Sequence, residues 1–289
     1  MQFDRVRGVI TEWRHDGALL AHRGPRLNLW RAPTDNDKGG GGALKEWAKG
    51  RLAELQHRTD SVDVETLARG HAVRVRVVSR VAPPVLKFGY RCEYVYTILG
   101  SGDVLLDVHA TPAGEWPKSI PRIGLQMALP LALERAAWYG LGPGESYPDS
   151  RMAQRVDQFR ATVDELLTPY VRPQENGNRS DVRWVAFTDL RGRGLMVAGQ
   201  PTLNFSAHRY TPEDFTRARH VYELTPRAEI ILNVDHRQRG LGTASCGPDV
   251  WPPYDLKAEE FRFAVRLSPF SCDEASPWEL GRKAFEVPG

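Results

Sequence analysis

Apolar residues recur at every second position along most of this chain, and that period admits few folds. Val73, Val75 and Val77 alternate with Arg74 and Arg76, and Tyr90, Cys92, Tyr94, Tyr96 and Ile98 share one face of the next run. Period two sends successive side chains to opposite faces of a strand. Gly100-Ser101-Gly102-Asp103 is turn chemistry, and Val104, Leu106 and Val108 resume the alternation, so the two runs form a hairpin. Further strands are predicted around Ile123–Leu129, Val182–Ala186, Ile230–Val234 and Phe261–Leu267. Helical spacing is confined to Ala43–His57, Pro212–Arg217 and Pro277–Ala284. The nearest linker candidate, Pro112–Ser119, is too short for a flexible tether and carries Trp116. Many strands, few helices and no break predict an all-β chain built as one oversized antiparallel sandwich. Its 289 residues lie near the upper limit for a single core.

Composition removes several functional classes. Apolar residues make up 41% and charged residues 26%, which is a folding composition. The 39 basic and 36 acidic residues are interspersed, so the net charge of +3 forms no basic stripe and nucleic acid is not an expected partner. Arg74, Arg76, Arg91, Arg262 and Arg266 read as solvated strand faces. Three widely spaced cysteines, Cys92, Cys246 and Cys272, make neither a disulfide framework nor a metal-ligand spacing. The eight histidines are equally scattered. Met1-Gln2-Phe3-Asp4-Arg5 lacks an apolar signal core, and no apolar run is long enough to span a membrane. A soluble cytoplasmic protein is expected.

Three polar segments carry the remaining information. In Trp30-Arg31-Ala32-Pro33-Thr34-Asp35-Asn36-Asp37-Lys38, the acids and asparagine read as an Asx-turn with Arg31 pairing one acid. The functional reading is a polar rim beside the Gly39–Gly42 run. No GK[ST] follows, so a phosphate cradle is not expected. Trp138-Tyr139-Gly140-Leu141-Gly142-Pro143-Gly144-Glu145-Ser146-Tyr147-Pro148-Asp149 reads as a loop of fixed path that presents aromatics and acids. Glu145 and Asp149 are either a carboxylate pair or structural partners of arginines; ion-pair networks account for more acids than catalysis does. In the third segment, residues 168–179, Arg172, Glu175 and Arg179 have the chemistry for charge-assisted bonds within a large loop. His208 beside Arg209-Tyr210 reads as a hydrogen-bonded strand histidine, with a sugar-ring acid/base role as its alternative.

Taken in order, these motifs resemble the C-terminal, small-chain domain of family-2 β-galactosidases. The resemblance rests on Arg31-Ala32-Pro33-Thr34-Asp35-Asn36-Asp37, Trp138–Pro143 with Glu145 and Tyr147-Pro148-Asp149, Thr168-Pro169-Tyr170-Val171, and Glu175-Asn176-Gly177 with Arg179. Asn204-Phe205-Ser206 with Arg209-Tyr210, Gly240-Leu241-Gly242 and Ser245-Cys246-Gly247-Pro248 continue it. It runs from about Phe3 to Leu267, so residues 1–270 form the expected domain and 271–289 a C-terminal tail.

The resemblance implies a large antiparallel supersandwich of the galactose mutarotase type with a few short helices. It also implies a place within an enzyme that hydrolyses terminal β-galactosides. The family's two catalytic glutamates, with magnesium and sodium nearby, lie on a separate (β/α)₈ barrel. This chain has no alternating β/α pattern and is too short to hold one. No catalytic residue, metal or other cofactor is therefore expected in it. The expected partners are the barrel domain or large subunit and the β-galactoside, in an oligomeric full enzyme. By the same resemblance Lys38 and Gly39 lie near the substrate. The family's sugar-stacking tryptophan corresponds to Cys246, which has no aromatic face, and Trp251 is a substitute in reach. Two alternatives stand beside this reading. One is a free-standing sugar-binding or mutarotase-like protein pairing His208 or His109 with Glu145 or Glu175. The other is a structural module without sugar contact.

Overall fold

The computed structural model describes residues 1–39, 42–67, 71–242 and 249–283. A small meander opens the chain: β1 (Gln2–Asp4), β2 (Val9–His15) and β3 (Ala18–Ala21) pair in that order. The large sheet contains β4 (Arg23–Asn28), β5 (Gln56–Leu67), β6 (Ala72–Ala82), β7 (Gly89–Leu99), β8 (Val104–Ala113) and β9 (Arg122–Pro130). It continues with β10 (Arg135–Gly142), β11 (Arg155–Thr162), β12 (Arg179–Thr188), β13 (Arg193–His208), β14 (Glu229–Gln238) and β15 (Phe261–Ser271).

The pairing explains how so many strands enclose one core. The main path runs β11-β10-β12-β13-β15-β8-β7-β6-β5, and β14-β9-β4 branches from β13. Residues 193–200 of β13 pair with β15, whereas residues 204–208 pair with β14. One long strand thus serves two layers. The layers close face to face: the Tyr94 hydroxyl accepts from Leu27 N–H at 3.3 Å, and His236 of β14 stacks on Phe261 of β15. Leu27, Leu125, Val234, Phe205, Tyr94, Val108 and Val265 belong to the same buried cluster. Every pairing is antiparallel, as the hairpin chemistry at Gly100–Asp103 predicts. This is the expected all-β supersandwich.

Four helices are short: α1 (Asp35–Lys38), α2 (Leu44–Lys49), α3 (Pro212–Arg217) and α4 (Pro277–Gly281). The helix expected over Ala43–His57 ends at Lys49. Arg51 is left-handed at φ 50°, a 3₁₀ turn covers Leu52–Glu54, and β5 starts at Gln56. Trp47 and Leu52 are buried as the helical spacing requires, so the apolar periodicity was satisfied by two turns and a kink. Asp35–Lys38 is a helical turn where an Asx-turn was expected. Thr34 caps it, accepting from Asp37 N–H while Asp37 accepts from Thr34 N–H.

Two further expectations are corrected by packing. The stretch from Trp138 is strand until Gly142, and the loop begins at Pro143. Its glycines serve close approach: a Cβ at Gly140 would lie 2.7 Å from Val182 Cα, and one at Gly142 2.6 Å from the Phe159 ring. Arg266 is not solvated. It is 5% exposed and donates to the carbonyls of Leu280 and Lys283 at the end of α4. α4 therefore packs on the sheet, with Leu280 in a buried cluster with Trp184 and Trp278 edge-on to Tyr139 at 5.2 Å. Among the described residues no helix is long and apolar enough to cross a membrane.

Candidate functional site

The polar segments singled out in the sequence meet at one end of the sandwich. Arg31 is the hub. Its fully buried guanidinium donates to both carboxylate oxygens of Asp37 at 2.9–3.2 Å, and to the carbonyls of Arg239 at 2.6 Å and Gly240 at 3.0 Å. Arg239 in turn donates to Asp249 at 2.6 Å and Asp255 at 2.7 Å, and lies 3.6 Å from Asp37. Both guanidinium groups sit over the Trp47 ring, at 5.6 and 5.8 Å from its centre. Two guanidinium groups and Asp37 can be this buried only because each charge meets the opposite one, with Asp249 and Asp255 pairing Arg239 from its more exposed side. The cluster ties α1 to the segments on either side of residues 243–248.

The two acids of the Trp138–Asp149 segment brace the same end. Asp149 accepts from the N–H groups of Leu241 and Gly242, both at 2.9 Å. Asn36 donates to Leu241 O at 3.1 Å, so the same segment is held from α1 as well. Glu145 accepts from Thr168 Oγ1 at 3.0 Å, from Gly177 N–H at 2.7 Å and from the Tyr170 hydroxyl. Structural partners were the expected outcome for these acids, but backbone N–H and hydroxyl groups take the place of arginines. Gln174 links to Asp35 at 3.0 and 3.1 Å and completes the circuit.

A deeper layer supports this surface. Arg122, at the start of β9, donates to Glu175 at 3.0 Å and forms an ion pair with Asp235 at 3.2 Å. Gln238 donates to Asp235 at 2.9 Å and to Asn178 at 3.1 Å. Burial pushes the Asp235 carboxyl up to about 7 despite Arg122, with Glu175 adding to the rise. Asp235 needs Gly124 beneath it, since a Cβ there would stand 1.8 Å from Oδ1. Arg179 donates to the carbonyls of Leu166, Gly177 and Pro143 and covers the Trp138 ring at 5.4 Å. His208 is the strand histidine anticipated: Nε2 bonds Asn176 O at 3.0 Å, and burial lowers its pKa to about 4.

Sequence reasoning missed Arg122, Asp235, Gln238 and Arg239. A signal existed for two of them, since Arg122 opens the apolar strand at Ile123 and Asp235 ends the apolar run from Ile230. Their partners come from distant loops, so the charges looked like strand ends.

The residues expected near a sugar fall as follows. Lys38 closes α1, pairs with Asp35 at 3.7 Å and is three-quarters buried; burial lowers its pKa, and nearby Arg172 adds to that. Gly39 caps the helix with its N–H directed to Asn36 O at 3.2 Å. Cys246 lies outside the described residues. Trp251 is 62% exposed and starts the Pro252–Tyr254 turn, whose Tyr254 carbonyl accepts from Gly240 N–H at 2.9 Å. The structure thus brings Lys38, Gly39 and the base of Trp251 onto one braced rim. The pairs required by a mutarotase-like reading do not form. His208 and Glu175 are buried in other bonds, and His109 meets Glu260 at 2.6 Å on a sheet face. Among the described residues, no group of three or more His, Cys, Asp or Glu side chains could hold a metal ion.

Comparison with known proteins gives the geometry its context. A β-galactosidase from Arthrobacter sp. (strain B7) is 35% identical over 276 residues, covering 86% of this chain and 26% of that protein. The β-galactosidase of Priestia megaterium (strain DSM 319) is 31% identical, covering 89% of this chain and 24% of that protein. The chain therefore spans about a quarter of the length of these relatives. A galactose mutarotase-related enzyme from Lactobacillus acidophilus superposes over 93% of each chain with a TM-score of 0.46 and 8% identity. The family model of the β-galactosidase small chain matches residues 1–267. The chain belongs to the β-galactosidase small-chain family.

Proposed function

We propose that this chain is the C-terminal domain or small subunit of a family-2 β-galactosidase, non-catalytic by itself. It completes one wall of an active site whose acid/base and nucleophile lie on a barrel partner. The observation that carries this reading is the braced rim, in which five segments distant in sequence are locked together around Arg31, Asp149 and Glu145. Such a structure positions a surface; its carboxylates are engaged in holding loops. Glu145 and Asp149 therefore support, and do not react.

On the rim, Lys38 and Gly39 face the substrate from one side, and Trp251 faces it from the other. Trp251 supplies the exposed indole face that cysteine cannot. Magnesium and sodium, where the enzyme uses them, bind on the barrel. The exposed Tyr170 and Val171 favour burial against that partner, and the full enzyme is an oligomer. Free Cys92 and Cys272 fit a reducing, cytoplasmic setting. The test is kinetic, in the enzyme assembled from this chain and its barrel partner. Trp251→Ala and Lys38→Ala should raise KM for a chromogenic β-galactoside. Unchanged KM in both variants would remove the sugar-facing assignment.

A further inference from the structure

A second polar feature lies away from the rim and is independent of the function proposed above. Cross-strand register sets Arg26, Gln126, Asn233 and Ser206 in one row across β4, β9, β14 and β13. On the opposite face of these strands, Leu27, Leu125, Leu232 and Phe205 form core. The row is closed over at one end, where Asn233 is 4% and Ser206 1% exposed. Its amides are oriented by a chain of bonds. Asn28 and Gln126 both donate to Asn233 Oδ1, at 3.4 and 3.1 Å, and Asn233 donates to Ser206 Oγ at 3.3 Å. Gln126 thus spends one amide N–H on the interior, and its side chain also lines the open end of the row.

That end opens into a cavity of about 270 Å³. Arg26, Gln126, His57 and Glu213 supply its polar wall, and Leu55 and Trp30 part of its apolar lining. None of these residues belongs to the Arg31, Asp149 or Glu145 contacts of the rim. The polar wall offers donors and acceptors together. Arg23, also on the wall, is matched by Glu229 at 3.8 Å; the other two charges on the wall are one cation, Arg26, which donates to the Arg7 carbonyl at 2.9 Å, and one anion, Glu213, so the charge is balanced in number. His57 is held neutral, its pKa lowered to about 4 by burial and by Arg26. Balanced charge, mixed donors and acceptors and an apolar patch suit a ligand with hydroxyls on its edge and C–H groups on its face. An isolated anion would meet Glu213 at the mouth, and a purely apolar ligand would strand the amide and guanidinium groups.

We infer that the cavity bounded by Arg26, Gln126, His57 and Glu213 is a binding site for one neutral hexopyranose ring, separate from the rim. The experiment is a titration of the isotopically labelled chain with galactose, glucose, mannose and inorganic phosphate, followed by NMR. Saturable shifts at the Gln126 side-chain amide and at His57 are expected with at least one sugar, with a Kd of order millimolar. Ala53 is exposed and lines the cavity, so Ala53→Trp fills it without entering the core. Ala53→Trp and Gln126→Leu should each weaken binding at least about tenfold, and Trp251→Ala should leave it unchanged. The proposal is overturned if no sugar gives saturable shifts, or if phosphate binds and no sugar competes. It is also overturned if binding is lost in Trp251→Ala and kept in Ala53→Trp. Sugar binding at this cavity in a chain that fails to support galactoside hydrolysis would uphold this site and sink the proposed function.

Discussion

Replacing Arg31 with methionine tests how the rim is held. The side chain is fully buried and makes three contacts to Asp37 and two to the carbonyls of Arg239 and Gly240. Methionine fills most of the volume, so the loss is electrostatic. Two buried carbonyls lose their donor, each at about 1–3 kcal/mol. Asp37 keeps its Thr34 N–H bond and one guanidinium, Arg239, at 3.6 Å, and breaking a buried pair from one side costs about 3–5 kcal/mol. These contributions overlap, since all belong to one guanidinium, and a net loss of about 3–5 kcal/mol is expected. That is a large share of a typical domain's stability. Urea denaturation of the wild type and Arg31→Met gives the total. Adding Asp37→Asn to each background should recover a coupling of about 2 kcal/mol, because Arg31→Met then strands a neutral amide in place of a charge. Hydrogen exchange should accelerate at Leu241 and Gly242 beyond the global change. A loss under about 1 kcal/mol, or a coupling near zero, would refute the view that this cluster holds the rim.

Four other outcomes follow from the same geometry. The Asp235 carboxyl is raised in the folded state, so its contribution is full at acid pH and is lost as pH rises toward about 7; the wild type should lose stability relative to Asp235→Asn between about pH 4 and 7 in denaturant titrations. His57, His208 and His236 are lowered to about 4 by burial, so chemical denaturation should show stability falling as pH drops from about 6.5 toward 4. Gly124→Ala would force Asp235 off Arg122 and Gln238 and should cost about 1–3 kcal/mol by equilibrium unfolding. In the assembled enzyme, Asp149→Ala should lower kcat/KM for the galactoside by loosening Leu241 and Gly242, a loss that Asp149→Asn would only partly restore.

β6, β7, β8 and β15 were legible because each buries one face over most of its length, and period two writes that face into the sequence; β9 and β14 are buried on both faces, and their apolar runs marked them. β11 was not legible. It is an edge strand with Arg155, Val156, Asp157 and Gln158 all exposed, and an edge that packs little needs no apolar face. The start of the Trp138 segment was misjudged because glycine serves close packing as readily as turning; Gly140 and Gly142 sit under Val182 and Phe159. The candidate site was legible as a set of motifs but not as a network. Arg31 pairing an acid could be read locally, at a separation of six residues. Arg122 with Glu175 and Asp235, or Asp149 with Leu241, joins residues 53 to 113 apart, and no local pattern marks such a bond. Arg266 shows the converse. Its alternation with apolar residues suggested solvent, and α4 from beyond the strand covers it.

On the proposed function this chain completes an active site it does not itself contain, and galactoside hydrolysis by the chain alone, by the barrel partner alone and by their mixture tests that role. No hydrolysis by the chain, weak hydrolysis by the partner and a marked rise in kcat/KM on mixing are expected, the rise being diminished when the chain carries Arg31→Met. Strong hydrolysis by the chain alone, or a partner as active without the chain as with it, would overturn the proposed role.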